Sequence, residues 1–428
     1  MSKDNPFHSL ATLDEILLDV ATLIELSSRD RRVAENRYRK LKAHLERSAS
    51  PLAAYLIDGR SMIYAQGSIA TSTTIVSGTD DDRFDVDAVV EIDVPADWDE
   101  KRPLDILEEA LQGFPGVVEI VRCTRCVQMR FPFMHMDVTI LDRRQNLAIE
   151  RAGEIFHSPD RGEAYRVPSN PWGFTAWFRG AVGQGQQEFT EALRRHRATA
   201  SVDRLQILDE EERLVVANAE QEALPPVIPN AIDAQEAVAL KLLKRFINLH
   251  YENSGARRPP SIYLAKRAAD IGYIPDGLAA QLYVLAHTTA RIMRQHLAAS
   301  TVPAEFNPFY RADLINDRWP GEGHIGQRNM EACAAALEML CERLNEMCSA
   351  SLSDIAEGID DLFGERIGQE QRKLLAERYD RRDGKSEIVM EPRTGGVRAP
   401  AVVVSTRKFD EVPRHNFHPF VIKKEDDE

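Results

Sequence analysis

The sequence predicts an α+β protein in two lobes, a mixed sheet first and an all-helical half after it, with the working cleft between them. Two observations carry this. Five short apolar runs separated by turn residues fall between Ser61 and Leu141, and beyond about Val167 the apolar spacing turns helical. A chain of 428 residues is long enough for more than one domain. The expected division is residues 1–50 as an N-terminal helical segment, 51–166 as the sheet lobe, 167–382 as the helical lobe and 383–428 as a flexible tail.

Taken in chain order, apolar residues recur at helical intervals from Leu13 to Ile24, then Tyr38, Leu41 and Leu45 share one side of a charged stretch. That predicts two helices or one long bent one. Strands are expected at Met62–Ala65, Val86–Ile92, Val117–Val121, Val127–Phe131 and Met136–Leu141, with one helix over Pro103–Gln112 stopped by Gly113. Helices follow at Gln187–Arg197, Ala234–Tyr251, Ser261–Asp270, Leu278–Leu297, Asn329–Met347 and Gly368–Arg381. Pro225, Pro226 and Pro229 mark a linker, and the charged, Gly- and Pro-rich stretch after Arg382 reads as the tail.

Lys and Arg total 54 against 68 Asp and Glu, so the formal charge of −14 repels a long polyanion and any phosphate site must be local. A long nucleic acid is not expected as a partner. The segment Met1–Ala11 is polar, and no uncharged run approaches the about 20 apolar residues of a membrane span, so the chain reads as cytoplasmic with no membrane partner. Five Cys, with Cys123 and Cys126 forming a CxxC that lacks a second pair, predict reduced thiols rather than a disulfide framework or a zinc site. The basic runs at Arg194–Arg197 and Arg257-Arg258 read as solvated faces, and Trp172, Phe174, Trp177 and Phe178 as packing between the lobes.

The chemistry concentrates in three places. Gly67-Ser68 follows an apolar strand and opens a short helical turn, an arrangement that offers backbone N–H groups and a hydroxyl to phosphate. Phe84-Asp85-Val86-Asp87 puts two carboxylates at i and i+2, hence on one face of a strand, where they repel unless a cation lies between them. Oxygen ligands of this kind suit Mg²⁺ or Mn²⁺. Met136-Asp137-Val138 supplies one further carboxylate on a later strand, which beside the first would complete a cup for two ions. Asp142 is expected to end that strand.

The order Gly-Ser, Asp-x-Asp, lone Asp resembles the polymerase-β-type nucleotidyltransferases. More narrowly it resembles the bacterial CD-NTases, through Gln66-Gly67-Ser68 with Thr71, Ser158-Pro159-Asp160, Pro168-Ser169-Asn170-Pro171-Trp172-Gly173, Leu242-Leu243-Lys244-Arg245-Phe246, Pro260-Ser261-Ile262-Tyr263 and Asn307-Pro308. The likeness spans about Leu13 to Gly364. It implies that Gln66, Gly67 and Ser68 hold the donor triphosphate, that Asp85 and Asp87 bind two Mg²⁺ or Mn²⁺ ions, and that Asp137 binds the catalytic ion and deprotonates the acceptor hydroxyl. It further implies that Lys244 and Ser261 grip the triphosphate and that Tyr263, one place beyond Ile262, is the aromatic available to stack on a base. The implied activity is synthesis of a cyclic di- or trinucleotide from nucleoside triphosphates, ATP or GTP among them, in CBASS antiphage signalling, with CBASS regulatory proteins as partners. Two alternatives stand beside it: a synthase of linear oligonucleotides or RNA ends, and a non-catalytic module that binds a nucleotide or a partner.

Overall fold

The computed structural model describes residues 6–56, 61–76, 84–132, 134–143, 148–183, 186–200, 232–252, 254–383, 389–390 and 397–398. The expected proline-rich linker, with Pro225, Pro226 and Pro229, lies outside them.

The leading segment divides into two helices that serve different cores. α1 (Pro6–Ile24) buries Leu13, Leu17, Val20 and Ile24 among the helices of the second lobe, whereas α2 (Ser28–Glu46) buries Val33, Tyr38, Leu41 and Leu45 against the sheet. The break between them is built locally. Ser27 accepts from the Asp30 backbone N–H at 3.0 Å while the Asp30 carboxylate accepts from the Ser27 N–H at 3.2 Å, a reciprocal cap that starts a new helix.

β1 (Met62–Gln66) runs antiparallel to β2 (Phe84–Ile92), β2 runs parallel to β5 (Met134–Arg143), and β5 continues through antiparallel β4 (Val127–Arg130) to β3 (Glu119–Arg122). Two further strands extend the sheet, β6 (Gly153–His157) against the far end of β5 and β7 (Tyr165–Ser169) against β6. The apolar alternation fixes the faces: Phe84, Val86, Ala88, Val90 and Ile92 on β2, with Met134, Met136, Val138 and Ile140 on β5, pack beneath α2 and α5 (Arg102–Leu111). The odd-numbered positions, and with them Asp85, Asp87 and Asp137, face the other way. β5 does not end at Asp142, whose carboxylate accepts from the Val94 N–H at 3.2 Å and from Arg166 at 2.5 Å while the strand runs on to Arg143.

The helical lobe comprises α6 (Pro171–Ala181), α7 (Gln187–Ala200), α8 (Gln235–Tyr251), α9 (Ser261–Ile271), α10 (Leu278–Ala298), α11 (Gly323–Met347), α12 (Leu352–Phe363) and α13 (Glu365–Asp383). α8 is the central one: nearly every residue from Gln235 to Ile247 is buried. The lobe also carries a small hairpin that the sequence did not suggest, β8 (Phe306–Asn307) with β9 (Tyr310–Leu314), tied to the inter-lobe crossing where Asn307 Nδ2 donates to the Asn170 carbonyl at 2.7 Å. α6 bridges the lobes as its aromatics foretold. Trp172 meets Tyr64 of the sheet edge-on at 5.4 Å, while Phe174 and Phe178 enter the helical core. Of the Arg194–Arg197 run, Arg194 and Arg195 are the solvated face expected, whereas Arg197 is held by Glu25 at 2.7 Å and Asp233 at 2.7 Å, and His196 by Asp19 at 2.7 Å.

Candidate active site

Parallel pairing of β2 with β5 sets Asp87 directly opposite Asp137 and Asp85 opposite His135, so the three carboxylates share one face of two adjacent strands. On the other flank, antiparallel pairing sets Gln66 opposite Asp87 and delivers the next residue, Gly67, to the same place. Gly67 adopts φ +61°, and a Cβ there would lie 2.1 Å from Asp87 Oδ2. Only glycine permits both the turn and the close approach. Ser68 follows in the short turn α4 (Gly67–Ala70), which Ile69 and Ala70 anchor in the sheet's core.

The charges on this face are poorly balanced from within. Burial, then the neighbouring charges of Asp137 and Asp85, push the Asp87 carboxyl up to about 8, with Lys244 opposing. Burial and Asp85 also raise Asp137, against hydrogen bonds from Gln128 and Cys126. Lys244 reaches in from α8 and donates to the Thr73 carbonyl at 2.8 Å. Burial draws its ammonium down to about 8, although Asp87 and Asp85 favour the charged form. The two shifts have one meaning: the carboxylates want a cation and the lysine wants an anion.

In the arrangement seen, the three carboxylates are splayed rather than gathered. Asp137 accepts from Gln128 Nε2 at 2.9 Å, Asp85 turns towards His135 at 3.5 Å with 66% of its side chain exposed, and Asp87 lies over Gly67. Among the described residues, no three His, Cys, Asp or Glu side chains stand close enough to hold an ion as placed. The all-oxygen donor set on one face fits Mg²⁺ or Mn²⁺ after side-chain rotation.

Ser261 is exposed at the start of α9 and lines an open basin with Arg257 and Arg258. Tyr263 is a correction. Its ring is fully buried, packed against Trp319 at 5.1 Å with the hydroxyl unpartnered among the described residues, so it is core and offers no face to a base. Helical geometry explains this, since two residues beyond Ser261 the side chain has turned into the lobe. Three supporting residues escaped the sequence reading. Gln128 orients Asp137 from the register partner position on β4, Tyr38 donates to the backbone carbonyl of Asp87 from α2, and Cys126 bonds to Asp137. Strand alternation places Gln128 on the same face, but only the β4–β5 pairing reveals its target.

No family model matches the chain. It is 31% identical over 407 residues to the cyclic dinucleotide synthase CdnG of Bradyrhizobium diazoefficiens, covering 93% of this chain and 91% of that protein. The chain is a CD-NTase. CD-NTases are nucleotidyltransferases, and this one is therefore an enzyme of that class. The solved CdnG of Bradyrhizobium diazoefficiens in complex with GTP superposes with a TM-score of 0.69 at 27% identity, over 85% of this chain and 99% of that one. CdnC of E. coli MS115-1 with ATP, at 16% identity and a TM-score of 0.51, shares the fold over 83% of this chain and 97% of its own. The polymerase-β-like lobe and helical second lobe of the CD-NTase fold are thus those of this chain. Among the described residues no helix is long and apolar enough to cross a membrane.

Proposed function

We propose that this CD-NTase joins nucleoside triphosphates into a cyclic dinucleotide that acts as a second messenger in antiphage defence, with GTP among its substrates. The observation that carries the reading is the register of Asp87 with Asp137 across parallel strands, opening onto the Gly67-Ser68 turn. CdnG, bound to GTP, is the relative that supports the choice of product and of one base.

In this reading the donor triphosphate lies on the Gly67-Ser68 backbone and is gripped by Lys244 and Ser261. A ribose hydroxyl of the acceptor nucleotide loses its proton to Asp137 and attacks the donor α-phosphorus. The bond to the β-phosphate oxygen breaks and pyrophosphate leaves, giving a linear dinucleotide that still carries a 5′-triphosphate. A second displacement of the same kind closes the ring and releases a second pyrophosphate. Asp85, Asp87 and Asp137 would hold two divalent ions, which when bound lower the pKa of the attacking hydroxyl and neutralise charge on the leaving group.

The test is incubation of the purified protein with all four ribonucleoside triphosphates and Mg²⁺ or Mn²⁺, followed by phosphatase and mass spectrometry. A phosphatase-resistant cyclic product is expected. Pyrophosphate release with only linear, phosphatase-sensitive products would overturn the cyclic assignment.

A further inference from the structure

Four guanidinium groups meet at the seam between the lobes. Arg125 lies on the turn joining β3 to β4, Arg257 and Arg258 precede α9, and Arg318 follows β9; together they line a cavity of about 320 Å³ whose one acidic lining residue, among the described residues, is Asp317. Four cations against one anion is a marked local excess in a chain of formal charge −14. Asp317 is committed to Arg125, with a bond from Nη1 at 3.1 Å. Arg258 donates to the neutral Asn248 at 2.6 Å. Among the described residues, the guanidinium groups of Arg257 and Arg318 are paired with no carboxylate. The Arg257 backbone, by contrast, is pinned on both sides, its N–H donating to Asn329 at 2.9 Å and its carbonyl accepting from Trp319 at 3.0 Å. Burial, then the Arg125 and Arg257 charges, lower the pKa of Arg318, and Asp317 opposes them only in part.

The order of strands says which phosphates belong here. Along the sheet, the Gly67-Ser68 turn lies beyond β1, the carboxylates follow on β2 and β5, and the Arg125 turn lies past them at the end of β4. Cys126, next to Arg125, contacts Asp137, the proton acceptor. An in-line displacement puts the leaving pyrophosphate and the attacking hydroxyl on opposite sides of the α-phosphorus. With the donor triphosphate at the Gly67-Ser68 side, the attacker enters from the Arg125 side; Arg257 and Arg258, which also line the basin of Ser261, border both.

Resting on the proposed function, we infer that the cavity lined by Arg125, Arg257, Arg258 and Arg318 binds the 5′-triphosphate of the acceptor nucleotide, so that its ribose hydroxyl is presented to Asp137. Guanidinium forks suit phosphate oxygens, and a pocket of this size accommodates a triphosphate with its counter-charges supplied by the protein.

The experiment is calorimetric titration of wild type and an Arg257→Gln/Arg318→Gln double variant with a triphosphate whose α,β-bridge resists hydrolysis, in Mg²⁺. Both substituted residues are exposed, so the variant retains the fold. Wild type is expected to bind two equivalents and the double variant one, with the remaining affinity within twofold of the wild-type donor site. Inorganic tripolyphosphate should compete for the second equivalent in wild type at lower concentration than for the first. Two equivalents in both proteins, or one in wild type, would overturn the inference. A tenfold loss at both sites would return these arginines to the donor triphosphate and overturn it too. Failure of the proposed function shows separately, as wild type that releases no pyrophosphate from hydrolysable triphosphates.

Discussion

Two groups of buried charge sit on opposite sides of the lobe boundary and are treated in opposite ways. In the helical lobe Glu25 lies between Lys241 at 2.6 Å and Arg197 at 2.7 Å; burial alone would raise its carboxyl, but the two cations outweigh it and hold it down at about 2. On the sheet, burial and the charges of Asp137 and Asp85 push Asp87 up to about 8, with Lys244 opposing. The first network is balanced by the chain's own residues. The second is left out of balance, and what would balance it are a divalent cation and a phosphate, the two things a nucleotidyltransferase binds. Charge compensation therefore separates structure from function here better than burial does.

The largest expected effect breaks the unbalanced side. Asp85→Asn with Asp87→Asn should cut turnover by about 10³-fold or more while leaving the circular dichroism spectrum unchanged. Because the Asp87 carboxyl is raised from 3.8 to about 8, the folded ligand-free protein binds that proton more tightly than the unfolded chain, and stability falls as pH rises through that window. At pH 8 the double variant should melt no lower than wild type, and Mn²⁺ should raise the melting temperature of wild type only. A variant that melts well below wild type, or turns over normally, would sink the metal-site assignment.

On the balanced side, Glu25→Gln leaves Lys241 and Arg197 facing each other in the interior and should cost about 3–5 kcal/mol in urea unfolding at pH 7. Glu25 is lowered from 4.5 to about 2, so the stability it contributes is full above pH 4.5 and lost as pH falls through 2. The gap between wild type and variant should narrow on acidification across that range. A gap constant from pH 7 to pH 2 would show that the network is not what stabilises the boundary.

Smaller effects sharpen the boundary of the site. Gly67→Ala must place a Cβ on the Asp87 carboxylate at positive φ, and should lose about 100-fold in kcat/KM with a stability cost of roughly 1–3 kcal/mol. Gln128→Ala frees Asp137 to rotate and should lower kcat by about tenfold, with a rise in the Mn²⁺ concentration needed for half-activity. Least of all, Tyr263→Phe removes a buried hydroxyl with no partner among the described residues, and should change stability by less than about 1 kcal/mol and leave KM for every triphosphate unchanged. A several-fold rise in KM would restore Tyr263 to the base pocket.

Much of the sheet is readable from alternation alone, because a half-buried strand writes its face into every second residue. Residues 153–157 and 165–169 escaped that test: the second of these strands is an edge carrying Pro168, which an edge tolerates because its N–H is not required by a neighbour. Helix Leu352–Phe363 was missed because Gly358 interrupts its pattern, although Ser351 and Asp354 form a capping box readable in advance. That glycine is there for packing, since a Cβ would lie 2.5 Å from Met347 Sδ.

The sequence by itself determined the fold class, the two-carboxylate strand, the lone Asp137 and the Gly-Ser turn, because each is written in local periodicity or in adjacent residues. Tertiary structure alone decided that Asp137 stands opposite Asp87, that Lys244 is buried among carboxylates, that Tyr263 turns inward, and that four arginines from three separate segments meet at the seam. Those outcomes depend on which strand pairs with which and how one lobe closes on the other. Such contacts join residues about fifty or more positions apart, and no local pattern encodes them.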